Sequence, residues 1–258
     1  MTDLDPRYGL SALAAQPDLD PFGAFPEFEQ RSKAVRSPSV QGQARLRQGG
    51  RVPLRFLTYD DMLGLAEPEW IVDGLIQAET SALIFGRSNA FKSFMAVDIA
   101  CAVATGTPWH GAAVKSGLVL YIATEGARGV AKQRIPGWME HHGIPPEDRN
   151  NIFVFPQELA LDDPQSIEDL IESLRGALEW SEFKHADDRI FDLIVVDIFG
   201  GSMNGSEVTD ETARGWVQGV NRIMRETGAS VLTVAHTGWA DESRARMHTH
   251  FWGSFDTR

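Results

Sequence analysis

The chain has 258 residues, 43% of them hydrophobic, and a formal net charge of −12 at pH 7. That length and apolar content allow a full α/β core in one large domain with a tail, and the acidic balance excludes a surface generally coated with basic, nucleic-acid-binding charge. A single cysteine, Cys101, excludes an intrachain disulfide, and no stretch reaches the ~20 apolar residues of a membrane-spanning helix, so a reducing, cytoplasmic setting without a membrane partner is expected.

The N-terminus, MTDLDPRYGL, is acidic and polar where a secretion signal would be basic and then apolar. Residues 1–60 read as a flexible arm, rich in Pro, Gln, Ser and Gly and without a sustained period. The second half of the arm carries Arg31, Lys33, Arg36, Arg45, Arg47, Arg51 and Arg55 with no acid among them. Such a segment can touch DNA, RNA or an acidic neighbour, and a solvated linker has the same composition.

From about residue 70 apolar runs alternate with helical ones, the pattern of βαβ units and a mainly parallel sheet. Strands are expected at Ala82–Phe85, Leu118–Ala123, Ile152–Phe155, Leu193–Val196 and Ser230–Ala235. Between the third and fourth, Asp163 and Pro164 form a cap and first turn, and Ile167, Leu170, Ile171, Leu174 and Leu178 recur at helical spacing. Between the fourth and fifth, Ala213, Trp216, Val217, Val220, Ile223 and Met224 do the same, with Gly228 as the stop. Trp138 and Trp216 read as packing residues, and the acidic stretch from Glu158 to Asp192 as a solvated helix face.

The segment GRSNAFKS, Gly86 to Ser93, lies between the first strand and a helical run, Phe94 to Ala104. This is the strand, loop, helix order in which backbone N–H groups wrap a polyphosphate, a lysine neutralises it and a hydroxyl holds Mg²⁺. Gly86, Arg87, Ser88, Asn89, Ala90, Phe91, Lys92, Ser93 and Phe94 are therefore expected to line a nucleotide site, with ATP and Mg²⁺ as ligands. The motif GxxxxGK[ST] has glycine before the lysine, where this chain has Phe91. Glycine is favoured there for its freedom in φ, and an ordinary strand-to-helix turn ending in Lys-Ser is the competing reading.

Asp197 follows four apolar residues in FDLIVVDIFGGS, where an acid orients the Mg²⁺ shell together with the loop hydroxyl, here Ser93. Glu125 ends the strand LVLYIATEG. With parallel strands, Gly86, Glu125, Asp197 and His236 gather along one carboxyl edge, where open sheets bind ligands. Glu125 is expected to polarise the attacking water, against the reading of a surface carboxylate capping the next helix. His236 is placed to feel a γ-phosphate, although a lone histidine is more often structural. Beyond it, Arg244 and Arg246 stand among histidines and aromatics, as in a loop contacting a nucleic-acid backbone. His248 and His250 lack an evident third metal ligand.

Taken in order, Trp70 to Leu75, GRSNAFKSFMAVDIACAVATGTPWHG, LVLYIATEG, LIVVDIFGGSM, VAHTG and SRARMHTHFWGSFDTR resemble the hexameric replicative helicase branch of RecA-type ATPases, the RepA-like and DnaB-like helicases of plasmids and phages. The resemblance covers about residue 67 to the C-terminus. It implies a RecA-like P-loop NTPase core over residues 67–258, assembled into a hexameric ring with nucleotide between subunits and single-stranded DNA through the centre. Other replication proteins are then further partners. By matching position, Lys92 contacts the β- and γ-phosphates, Ser93 and Asp197 organise Mg²⁺, Glu125 activates water, and His236 senses nucleotide state.

Similar ATPases continue with further strands after the segment matching GSFDTR, one of which carries the arginine that enters a neighbour's site. Arg244, Arg246 or Arg258 replaces it, another chain supplies it, or hydrolysis is slow. The leading expectation is an ATP-hydrolysing helicase motor. The alternative is a slow or non-hydrolysing assembly or loader module in phage or plasmid DNA replication. A small-molecule kinase ranks below both, since neither an acceptor site nor a lid is recognisable.

Overall fold

The computed structural model of the chain describes residues 56–179, 190–237, 245 and 247–258. Most of the expected arm, residues 1–55, lies outside the described residues, as do Arg244 and Arg246. Two units are distinguished, Met1–Ala66 and Glu67–Arg258. In the first, the described part is a short helix, α1 (Tyr59–Leu63). A capping box starts it: the Asp61 N–H donates to Thr58 Oγ1 at 3.2 Å, and the Thr58 N–H donates to Asp61 Oδ2 at 2.9 Å.

The second unit begins with an antiparallel hairpin, β1 (Trp70–Val72) and β2 (Ile76–Gln77). There follow β3 (Ser81–Gly86), α2 (Lys92–Thr105), β4 (Val119–Ala123), α3 (Ala127–Gly129), a π-helical turn (Val130–Arg134) and α4 (Ile135–His141). A 3₁₀ turn (Pro146–Arg149) leads into β5 (Ile152–Phe155), α5 (Pro164–Glu179) and β6 (Leu193–Asp197). The chain closes with a 3₁₀ turn (Phe199–Gly201), α6 (Asp210–Thr227), β7 (Ser230–His236) and α7 (Thr249–Gly253).

The five strands β3, β7, β6, β4 and β5 form one parallel sheet in that spatial order, so the α/β class expected from the alternating runs is the observed one. Successive side chains on a strand point to opposite faces, and both faces here are covered. Leu120, Ile122, Ile194, Val196 and Val231 join a core with α5, α6 and α7 on one side. Val119, Tyr121, Ala123, Leu193, Val195, Leu232 and Val234 join a second core with α2, α4 and the hairpin on the other. That two-sided burial is why the strands read as continuous apolar runs rather than alternating ones.

The expected strands are found with their ends moved by one residue at most, whereas α2 begins at Lys92, two residues before the expected Phe94. Asp163 caps α5 as expected, accepting from the N–H groups of Gln165 and Ser166 at 3.2 and 3.3 Å. These donors hold its carboxyl below the usual carboxylate range. Gly228 ends α6 in the left-handed region at φ 73°. Cys101 is buried in the core, and burial pushes its thiol up to about 12.

The acidic stretch divides. Asp169 and Glu172 are exposed on α5 as expected, whereas Asp192 is buried and accepts the Leu118 N–H at 2.9 Å. A carboxylate fits there because residue 117 is glycine, whose absent Cβ would lie 2.2 Å from Asp192 Oδ2. Asp256 and Thr257 run beside the outer edge of β3, where the Thr257 carbonyl accepts the Leu83 N–H at 2.9 Å. Among the described residues no helix is long and apolar enough to cross a membrane.

Gly219, in the middle of α6, sets how closely that helix approaches the 159–162 segment. A Cβ at this position would lie 2.1 Å from the Leu161 carbonyl oxygen, a backbone atom that cannot rotate away. Gly219→Ala gains helix propensity but forces the two backbones apart, and overpacking of this kind costs about 1–3 kcal/mol. Equilibrium denaturation is expected to show a net loss of stability despite the better helix former.

Candidate functional site

The site is built at the carboxyl ends of the parallel strands. In the sheet β7 lies between β3 and β6, pairing Gly86 with His236 and Asp197 with Val234. The residue that ends β7 therefore falls between the loop after β3 and the acid that ends β6. A cavity of about 540 Å³ opens there, within the usual 300–1,000 Å³ range of ligand pockets. Lys92, Ser93, Glu125, Asp197 and His236 all line it.

The loop from Gly86 to Phe91 leads directly into α2, so the first turn of that helix presents unpaired N–H groups to the cavity. Asn89 and Phe91 both have positive φ, 63° and 57°. Phe91 thus adopts the conformation that glycine would take at the same place, and its ring is turned outward, 73% exposed. Asn89, Ala90, Phe91 and Phe94 line the cavity with Lys92 and Ser93. Gly86, Arg87 and Ser88 form the preceding part of the loop and are not among the lining residues.

Lys92 is buried, and its ammonium donates to the Arg87 carbonyl at 2.7 Å and lies 3.2 Å from His236 Nδ1. Burial lowers the Lys92 pKa, against the opposing pull of Asp197. His236 is held below its ordinary 6.5, first by burial and then by the Lys92 charge, while Glu125 and Asp197 act the other way. A neutral imidazole at pH 7 offers Nδ1 as an acceptor for the ammonium. Ser88 Oγ is 3.4 Å from the same nitrogen.

Ser93 Oγ donates to Asp197 Oδ1 at 2.9 Å. The second oxygen, Oδ2, accepts from Tyr121 Oη at 2.7 Å. Tyr121 stands on β4 opposite Val195, two residues along β6 from Asp197, so its ring runs under the sheet toward the edge. Burial and the Asp197 charge raise its pKa, so the hydroxyl remains a donor. Hydroxyl and carboxylate oxygens are the hard ligands that Mg²⁺ takes, and Ser93 with Asp197 fits that ion.

Glu125 is exposed just past β4. Its backbone is tied to β6 by Thr124: the Thr124 N–H donates to the Asp197 carbonyl at 2.8 Å, and the Ile198 N–H donates to Thr124 Oγ1 at 2.9 Å. Gly201 allows this, since a Cβ there would lie 2.5 Å from Thr124 Oγ1.

Sequence reasoning missed Tyr121, Thr124 and Arg134. Tyr121 had a signal, a hydroxyl-bearing ring inside an otherwise apolar strand. Arg134 had none: it reaches the cavity from the π-helical turn after Glu125, and its guanidinium lies over the Phe94 ring, 4.7 Å from the centroid. Arg258, expected as one source of a catalytic arginine, is engaged by Trp252, donating to its carbonyl and lying over its ring.

A parallel sheet with a phosphate-type loop, a lysine, a hydroxyl–acid pair and a second carboxylate at one edge defines a P-loop nucleotide-binding protein. A family model described as "AAA domain" matches residues 52–242 of the chain. The chain belongs to this family, of the P-loop ATPase type, and every cavity-lining residue named above lies inside the match. A search of curated proteins finds no significant match.

Tyr121→Phe keeps the buried ring and removes one donor from a nearly buried carboxylate. Hydrogen bonds to charged groups are worth about 1.5–3 kcal/mol, and a loss in that range is expected in chemical denaturation. For His236, an NMR titration should give a midpoint below 6.5, moving upward in Lys92→Met, where the repelling ammonium is gone and Glu125 and Asp197 remain. A midpoint unmoved by that substitution would show that the two side chains do not interact.

Proposed function

We propose that the chain is an ATP-hydrolysing motor of the replicative DNA helicase type, acting on single-stranded DNA as a ring-forming homo-oligomer. The observation that carries the hydrolytic part is the single cavity in which Lys92, the Ser93–Asp197 pair and an exposed Glu125 face one another. The DNA part is supported by the order of sequence blocks shared with the helicase branch. Arg244 and Arg246 are proposed as contacts to the DNA backbone.

In this reading Lys92 exchanges the Arg87 carbonyl and His236 for β- and γ-phosphate oxygens. Loop N–H groups from Asn89 to Ser93 cradle the same phosphates. Ser93 and Asp197 hold Mg²⁺, which neutralises phosphate charge when bound. Glu125, open to solvent, orients the attacking water and takes its proton as the new bond to phosphorus forms and ADP leaves. His236 loses its partner when Lys92 turns to phosphate. The end of β7 thereby acquires two states, one with and one without a γ-phosphate, which is what a sensor requires.

The test is steady-state ATP turnover with and without single-stranded DNA at low salt, where backbone contacts are strongest. Wild type is expected to be stimulated by DNA. Glu125→Gln should retain nucleotide binding and lose about 10²–10⁴-fold in kcat, and Lys92→Ala should lose both binding and turnover. Turnover indifferent to DNA would sink the helicase assignment while leaving the ATPase, and tight binding without turnover would transfer it to an assembly or loader module.

A further inference from the structure

The sequence makes no third metal ligand evident for His248 and His250, and the fold brings one from the start of α6. Asp210, His248 and His250 each offer a ligand atom, and the three atoms lie within 4.8 Å of one another. His250 Nδ1 is 3.0 Å from Asp210 Oδ1. The two imidazole rings stand nearly perpendicular, 84° apart, with centroids separated by 5.1 Å. We propose that these three side chains form a surface site for a divalent cation of the zinc class, clipping α7 to the first turn of α6.

The ligands are carried on backbone that is already fixed. The His248 N–H donates to the Glu207 carbonyl at 2.9 Å, which holds the segment before α6 beside the segment before α7. His248 is also the N-cap of α7, its Nδ1 accepting the His250 N–H at 3.3 Å. The next residue, Phe251, is fully buried against Phe199 and Trp216, with ring centroids 4.7 and 5.5 Å away. Arg214 takes the other Asp210 oxygen, Oδ2, at 2.7 Å, which orients the carboxylate with Oδ1 toward His250. Preorganisation of this kind separates a site from a chance meeting of surface groups.

An Asp210–His250 ion pair accounts for two of the residues and not for the second imidazole. Two imidazoles and one carboxylate are the ligand set that selects zinc-like ions over Mg²⁺ or Ca²⁺. Zinc bonds of about 2.0–2.2 Å place tetrahedral ligand atoms roughly 3.3–3.5 Å apart. The cluster meets this when its widest separation closes by up to roughly 1.5 Å and the Asp210–His250 pair widens by a few tenths, which rotation of partly exposed side chains supplies. The fourth position is left for water or an outside ligand. The clip would tie the segment after Asp197 to the segment after His236, two strand ends that face the nucleotide cavity. It does not depend on the nucleotide reading.

Full-length, untagged protein stripped with a chelator and desalted, with nucleotide absent, should bind one equivalent of Co²⁺ with visible d–d absorption, displaced by Zn²⁺. Zn²⁺ should raise its melting temperature. His248→Ala and His250→Ala are each expected to weaken Zn²⁺ binding about 100-fold and to abolish the thermal shift. Circular dichroism confirms that they fold, and His248→Gln and His250→Gln stand in for an alanine variant that does not. Asp197→Asn should leave the binding unchanged, since that acid belongs to the other site. No saturable binding, or binding retained in the histidine variants, would overturn the assignment.

Discussion

Asp197 is held from both sides, and the candidate site depends on that grip. Tyr121 donates to one carboxylate oxygen from β4, and Ser93 donates to the other from the first turn of α2. Three elements distant in sequence are thereby joined at one residue. The ring of Tyr121 belongs to the core between the sheet and α2, so the packing that stabilises the domain also sets the direction of the carboxylate. Asp197 itself is only 4% exposed, and a charge so placed is tolerated because both of its oxygens are bonded.

The sheet order does the rest. With β7 between β3 and β6, the end of β7 lies next to the phosphate-type loop on one side and next to Asp197 on the other. The Lys92 ammonium donates to the Arg87 carbonyl and lies against the His236 ring. Burial and then the Lys92 charge hold the pKa of that ring below its ordinary value, against the pull of Glu125 and Asp197. The ammonium at the head of α2 is thus a group that holds the histidine at the end of β7.

What the sequence made legible follows from which signals are local. Buried parallel strands are continuous apolar runs, so their existence and nearly their ends were readable, as were the Asp163 cap and the Gly228 stop. Residues at strand ends, Glu125, Asp197 and His236, were readable for the same reason, because parallel strands must bring their carboxyl ends to one edge. Contacts set by spatial neighbours were not. Asp192 looks like one more acid in an acidic stretch, and only the approach of Gly117 makes it a buried acceptor. The carboxylate beside His248 and His250 was hidden likewise, because Asp210 belongs to a different element. Arg134 depends on a π-helical turn that changes which side of the helix it occupies, and no periodicity in the sequence encodes that turn.

Phe91 shows how a motif can depart from its pattern without losing its geometry. A residue in the left-handed region costs about 1–2 kcal/mol when it carries a Cβ, yet φ at Phe91 is 57° and the loop passes directly into α2 at Lys92. The backbone requirement is thus met by a residue that carries a Cβ. The side chain is directed outward, where its ring meets Phe94 edge-on at 5.9 Å, and Arg134 covers the Phe94 ring. The Phe91 ring therefore adds to an aromatic and cationic wall that borders the cavity. Glycine at this position would meet the same φ and remove part of that wall, which places the consequence of Phe91 on what borders the cavity rather than on the path of the loop backbone.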